Sequence, residues 1–266
     1  MGRIFYVSSM HGDDTNSGQT PEDAFRSLRK INQLEIQPGD QIFLERGSVF
    51  IGEYLHLYAG GTKEAPVVVD AYGEGALPRI EADGNGIWYQ NYGGHLDNVV
   101  HTWKGYLSSA VLLYDAEYIS IRNLEITNNP CIKNERLNQA DRMNRTGVSV
   151  IAQNHGTLHQ IELDHLYIHD VEGNIYDKHL NNGGIYMSVS RPDDEEKTGI
   201  ARYDGIHIHH CKVEKCRRWG IAAGYTYQHD KVTTLELPDE IVKTYGSTNV
   251  VIEHNFVKDI GGDGIT

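Results

Sequence analysis

Four stretches of the chain, residues 119–126, 161–168, 206–213 and 250–257, repeat one pattern of apolar and polar positions. Each alternates with a period of two, takes two polar residues in succession, and then resumes the alternation, as a half-buried strand does on either side of a bend. Aligned, they put Ile121, Leu163, Ile208 and Ile252 in one column, and Leu124, Leu166, Cys211 and Asn255 in the next. Ile126, Ile168, Val213 and Val257 fill a third column. The polar pairs that mark the bend are Arg122-Asn123, Asp164-His165, His209-His210 and Glu253-His254. A second set of short apolar runs opens on Gly147, Gly184, Gly220 and Gly264, which stand 37, 36 and 44 residues apart. A unit of three short strands cannot bury its apolar face alone, so the copies must stack, each strand pairing with its equivalent in the next coil. The pattern predicts a parallel β-helix, and the residues in excess of a bare coil loop out on one side.

The N-terminal stretch completes the picture. Residues 5–9 (Phe-Tyr-Val-Ser-Ser), the polar loop from Gly12 to Gly18, Pro21 with Ala24 to Leu28, Pro38 to Leu44 and Gly47 to Phe50, together with the stacked runs, resemble the right-handed parallel β-helix proteins of the pectate-lyase-like superfamily. The resemblance covers most of the chain. It implies an all-β fold, a right-handed parallel β-helix in which a single chain winds the solenoid, with an N-terminal helix capping the open first coil. It implies a carbohydrate-active enzyme without choosing the reaction, because lyases, hydrolases, epimerases and plain binding proteins share this scaffold. One domain is expected, with residues 1–50 forming the cap and first strands and residues 51–266 forming the coils with their loop insertions.

Local signals fill in the coils. Thr20-Pro-Glu-Asp reads as a helix start, after which Ala24, Leu28 and Ile31 fall on one face. Asp13, Asp14, Asn16 and Gly18 have the look of a cation loop, with Ca2+ as the candidate ion, although the bidentate glutamate of a full calcium loop is absent and a capped turn serves equally. From Trp88 to Trp103 the alternation fails, and Trp88, Tyr89, Tyr92, Trp103 and Tyr106 mix with glycines, His95 and His101. These aromatics either stack on sugar rings or pin a loop to the core. Residues 129–146, with Arg136, Arg142 and Arg145, read as a solvated excursion or a wall of a substrate groove. His165, His210 and His254 recur once per coil at the bend and read as a structural ladder.

A net charge of −13 leaves no general basic face, which argues against nucleic acid and against an anionic membrane surface as partners. A local cluster of basic residues can still hold an anionic sugar. Three cysteines, Cys131, Cys211 and Cys216, have no metal-ligand spacing, and Cys211 falls in an inward column. The N-terminus reads straight into a strand with no signal peptide, so the expectation is a cytoplasmic protein as written, or a secreted one whose signal has been removed. The last residues, Ile265 and Thr266, fall within a first strand, so the expectation is that missing chain or another copy covers that edge.

Stacked strands repeat about every 4.8 Å, so equivalent outward residues of adjacent coils line one trough suited to a polysaccharide or oligosaccharide. Outward positions on the glycine-led strands are Ser149, Tyr186, Ser188, Ala222 and Gly224, and beside them stand His155, Lys178, His179, Asn182, Arg191, Tyr225, Tyr227, His229, Asp230 and Asp263. Two chemistries fit. In β-elimination at a uronate, the leading reading, His229 or Lys178 is the base, Tyr225 or Tyr227 the acid and Arg191 the carboxylate partner. In the alternative, glycoside hydrolysis, Asp230 and Asp263 are the two carboxyls. Under both, Tyr225, Tyr227, Arg191, His179, Asn182 and Tyr186 bind substrate. A third reading, a non-catalytic glycan-binding β-helix, needs only the aromatics.

Overall fold

A computed structural model describes residues 2–94, 102–130, 143–177, 179–224, 226–228 and 238–266. Strands make up 46% of the described residues and helix 8%, so the fold is decided by how its sheets pair. After β1 (Ile4–Val7), the chain visits three sheets in a fixed order. The first round is β2 (Gln41–Glu45), β3 (Val49–Ile51) and β4 (Leu55–Leu57). The second is β5 (Val67–Tyr72), β6 (Arg79–Glu81) and β8 (Lys104–Tyr114), with β7 (Ile87–Asn91) inserted before β8. The third is β9 (Ile119–Arg122), β10 (Glu125–Asn128) and β11 (Arg145–Ala152). The fourth is β12 (Thr157–Asp164), β13 (Tyr167–Val171) and β14 (Gly183–Val189), and the fifth β15 (Arg202–His209), β16 (Lys212–Cys216) and β17 (Trp219–Ala223). A sixth begins with β18 (Thr248–Glu253) and β19 (Phe256–Lys258), and Ile265 then bridges to Ile221 of β17. Every pairing along the three sheets is parallel, and among the described strands only β7 pairs antiparallel, with β8.

The register matches the columns read from the sequence. In the first sheet Ile121 lies opposite Leu163, Leu163 opposite Ile208, and Ile208 opposite Ile252. In the second sheet Ile126, Ile168, Val213 and Val257 are opposed in turn. The third sheet has its own row, Leu55, Val111, Val148, Ile185 and Ile221. These side chains are buried in one continuous core, with Ile252 and Val257 of the last round packed against it half-buried. The bends have a backbone cause. The second residue of each polar pair, Asn123, His165, His210 and His254, is left-handed, with φ of 57, 50, 53 and 53°. Such φ values turn the strand sharply, and asparagine and histidine tolerate them better than the β-branched residues of the flanking strands.

The recurring glycines are needed for a different reason, which is space. A Cβ on Gly184 would stand 2.4 Å from Val213 Cγ1 and 2.5 Å from the Gly220 carbonyl oxygen. Gly147 and Gly220 are crowded in the same way by Ile168 and Val257 of the second sheet. The apolar row of the second sheet therefore lies directly against the backbone of the third.

Near the N-terminus the single helix expected from Thr20 onward is divided. Thr20 caps a 3-10 turn (Pro21–Asp23), and a short helix α1 (Leu28–Asn32) follows. Ala24 between them is extended, which lets Phe25 bridge to Val7. Leu28 and Ile31 are still fully buried. The acidic loop spends its oxygens on itself. Asp13 accepts from the Thr15 amide and hydroxyl, and Asp14 from Arg26, Ser27 and the Ser27 hydroxyl. Cys211 and Cys216 are buried and unbridged, and burial pushes the Cys211 thiol up to about 12, as suits an inert core residue.

Two outcomes follow from this packing. Gly184→Ala should lose about 1–3 kcal/mol through overpacking and lower the melting temperature by several degrees, measured by thermal denaturation. His56 is buried with its Nε2 2.9 Å from the Ser109 carbonyl, and desolvation lowers its pKa from 6.5 to about 4. The folded state thus holds it neutral, while the unfolded chain protonates it below 6.5. Its contribution is present above that pH and is lost as pH falls toward about 4. An NMR titration should find the His56 ring neutral throughout most of that interval, and His56→Gln should flatten the acid limb of the stability profile.

Candidate functional site

The outer face of the third sheet carries the ladder expected to floor a trough. Leu112, Ser149, Tyr186 and Ala222 lie in register on successive strands, with Tyr114, Ile151 and Ser188 beside them. That face is roofed, since Leu112, Ser149, Ile151, Tyr186, Ser188 and Ala222 are all buried. The cover is β7 and the segment after it. Residues 87–91 alternate in exposure, so that Trp88 and Gln90 point down onto the sheet and Tyr89 points out. Trp88, Tyr92, Leu107, Leu112, Ile151 and Leu180 make a second apolar cluster on the outside of the sheet. The first part of the stretch read as a broken coil, up to Asn91, is therefore a regular strand, paired the opposite way, and residues 95–101 lie outside the described residues. The strand's alternation was hidden because its inward residue Gln90 is polar.

Polar side chains tie the cover to the sheet. Trp88 Nε1 donates to Ser109 Oγ (2.8 Å), which lies 2.7 Å from Ser149 Oγ. Gln90 Nε2 donates to Asn181 Oδ1 and Ser188 Oγ (both 3.0 Å), and Gln90 Oε1 accepts the Asn181 amide (2.8 Å). Asn181 Nδ2 donates in turn to the Tyr186 carbonyl (3.0 Å). The Tyr92 and Tyr186 hydroxyls both donate to the His179 carbonyl. Gln90 and Asn181 were not singled out from the sequence, and an Asn-Asn-Gly-Gly stretch directly before a buried strand was the signal available for the second.

The predicted site residues fall into groups. His179 and Asn182 are fully buried just before β14, and Tyr186 is buried within it. The Asp177 carboxylate accepts the His179 amide (3.1 Å), and the Asp177 carbonyl accepts from Asn182 Nδ2 (3.1 Å). Asp177 is thus a half-buried carboxylate at this corner, outside the set of site residues expected from the sequence. Asp263 is exposed at the same corner, two rungs along. Its carbonyl accepts the Gly220 amide (3.0 Å), next to Trp219, which is in register with Gly183. Trp219 Nε1 and Asn182 Oδ1 are buried with no hydrogen-bond partner among the described residues.

Arg191 and Tyr227 form a second group beyond the end of β14. The Arg191 guanidinium lies 5.5 Å from the centre of the Tyr227 ring, and the Tyr227 hydroxyl donates to Glu195 Oε2 (2.9 Å). Burial, then the Glu195 carboxylate, pushes the Tyr227 phenol well above its ordinary range, so it holds its proton firmly. Tyr92 spans the two groups, with its hydroxyl on the His179 carbonyl and its own carbonyl accepting the Arg191 amide (3.0 Å). Lys178, Tyr225, His229 and Asp230 lie outside the described residues, as do His95, His101, Cys131, Arg136 and Arg142. His155 belongs elsewhere, with its Nε2 3.3 Å from Glu117 Oε1. Tyr89 and Tyr106 stand exposed on the outer surface of the β7–β8 pair, edge to face at 5.1 Å, and Tyr176 is exposed on the loop before His179.

Chemically the corner offers carboxylates, buried amides and exposed aromatic faces, a combination suited to a neutral sugar. No family model matches the chain. It is 38% identical to a lacto-N-biosidase of Bifidobacterium longum subsp. longum over the whole of this chain and 19% of that protein. It is also similar to the crystal structures of the GH136 lacto-N-biosidase from Eubacterium ramulus. The selenomethionine derivative is 54% identical with a TM-score of 0.95 over 99% of this chain and 42% of that one. The native form is 53% identical with a TM-score of 0.91. A rhamnogalacturonan lyase, 11% identical with a TM-score of 0.54, shares the fold alone. The chain thus spans about a fifth of the curated relative and about two-fifths of the solved ones.

Asn181→Ala strips the partners from buried Gln90 and Ser188. It should destabilise the protein by about 1–3 kcal/mol, and hydrogen exchange should accelerate in the segment before β14 while the first sheet stays protected.

Proposed function

We propose that the chain is part of a glycoside hydrolase that cleaves a glycosidic bond in an oligosaccharide bearing a lacto-N-bioside unit. The observation that carries this is the similarity to the GH136 lacto-N-biosidase, with a TM-score of 0.95 over 99% of this chain. It favours the hydrolase alternative over elimination, the reading that leaned on His229 or Lys178 as base and Arg191 as carboxylate partner. We also propose that the successive rounds close into one right-handed parallel β-helix domain, with residues 1–50 as its cap and first strands and 51–266 as its coils. The fixed order in which the chain visits the three parallel sheets supports this.

Hydrolysis needs one carboxyl to protonate the leaving oxygen and a second to act as nucleophile or to activate water. The candidates are Asp177 and Asp263 at the corner where β14 and its neighbours begin, together with Asp230, which lies outside the described residues. Two rungs put the backbone of Asp263 about 10 Å along the stack from that of Gly183, near the loop that carries the Asp177 carboxylate. His179, Asn182, Tyr186 and Tyr227 serve from beneath by fixing the walls, since their polar groups are turned into the protein. Tyr89, Tyr106 and Tyr176 offer the exposed rings on which sugar faces stack.

The test uses the intact protein and an oligosaccharide with a lacto-N-bioside unit. Release of reducing sugar without the ultraviolet absorbance of an unsaturated uronate is expected. Two of Asp177→Asn, Asp230→Asn and Asp263→Asn should each lose about 10²- to 10⁴-fold in kcat. Unsaturated product would restore the elimination reading, and full activity in all three variants would remove these carboxylates from the mechanism.

A further inference from the structure

The first sheet, on another side of the stack, carries a cluster that glycan hydrolysis does not use. His207 and His209 stand two apart on β15, so both imidazoles project from the same outer face. Glu162 on the adjoining β12 is the register partner of His207, and Asp164 that of His209. His209 Nε2 lies 3.4 Å from Glu162 Oε1, and the two imidazole centres are 3.9 Å apart. One ligand atom from each of Glu162, His207 and His209 lies within 4.8 Å of the others.

We propose that Glu162, His207 and His209 bind a divalent transition metal ion of the Zn2+ class, which links the fourth and fifth rounds of the stack. Two imidazoles and a carboxylate are a donor set for such an ion, and ligand atoms at about 2.0–2.2 Å from a tetrahedral centre stand about 3.3–3.6 Å apart, as His209 Nε2 and Glu162 Oε1 do at 3.4 Å. The groups behind the ligands are already in place. Asp164 Oδ1 lies 3.0 Å from His209 Nδ1, and His210 Nδ1 lies 2.8 Å from it. The Asp164 carboxylate, an acceptor only, keeps the proton on Nδ1 and leaves the Nε2 lone pair facing Glu162. A carboxylate behind a ligating histidine is the arrangement that orients the ring and raises its basicity. Glu253 on β18 bonds His207 Nε2 (3.0 Å), and the Ser120 hydroxyl holds Glu162 Oε2 (2.6 Å), so each ligand is steadied by a neighbouring strand. Access is open, because Glu162 and His207 line a surface depression of about 540 Å³.

A neighbouring set, Asp164, His165 and His210, fits less well. Its two rings lie stacked face to face at 4.9 Å, and Asp164 is engaged by both His165 (2.6 Å) and His209. Asp164 supports the site from behind His209, and the set does not bind the ion itself.

The experiment strips the intact protein with a chelator and titrates it with Zn2+ by calorimetry, then with Co2+ by visible absorption. One equivalent of Zn2+, a tetrahedral Co2+ band and a higher melting temperature with metal are expected. His207→Gln and His209→Ala should abolish the stoichiometric site, Asp164→Asn should weaken it by about 10-fold or more, and His165→Ala should leave it intact. Circular dichroism without metal confirms that each variant is folded, and His207→Gln alone decides the matter if His209→Ala does not fold. Absence of binding in the wild type, survival of the site in His207→Gln, or its loss in folded His165→Ala would overturn the proposal.

Discussion

Each strand of the three parallel sheets pairs with strands some 27 to 56 residues away in the sequence, and its apolar side chains are buried by their equivalents on the neighbouring rungs. Everything else adapts to that register. A slip of one residue would turn a whole apolar row outward, so the register is fixed by the core itself. The close approach of the second sheet's Ile168, Val213 and Val257 to the backbone of the third then leaves room only for glycine at 147, 184 and 220. The left-handed residues at each bend keep successive rounds in phase.

This explains which parts of the fold were legible in the sequence. Columns such as Ile121, Leu163, Ile208 and Ile252 are spelled out by periodicity, because stacking demands the same residue type at the same phase in every round. The bends were legible for the same reason, and so was the burial of Cys211. The antiparallel β7 was not, because its inward side chain Gln90 satisfies buried polar partners rather than apolar ones. Nor was the division of the N-terminal helix, where pairing of Phe25 with Val7 overrides a good helix start at Thr20.

The site was legible in position more than in role. Sequence placed candidate residues beside the glycine-led strands, and Asn182, His179, Tyr186 and Asp263 lie on or next to those strands. Outward phase on a strand was taken to mean open space, yet Ser149, Tyr186 and Ser188 lie under a second layer built from Trp88, Tyr92 and Leu180. Periodicity reports which way a side chain points and is blind to what a distant segment lays over it. The same stacking that sets carboxylates and aromatics along one edge also sets Glu162, His207 and His209 side by side on the first sheet, so two chemically distinct surfaces arise from one repeat.

The most direct test of the stacking is a pair of engineered cross-links on the outer face of the second sheet, away from the candidate site and the histidine cluster. Tyr167, Lys212 and Phe256 occupy one register position on three successive rungs. Under mild oxidation Tyr167→Cys with Lys212→Cys should close a disulfide, since adjacent rungs stand about 4.8 Å apart. Tyr167→Cys with Phe256→Cys, two rungs apart, should stay reduced. A bond in the second pair, or none in the first, would contradict the register on which the account rests.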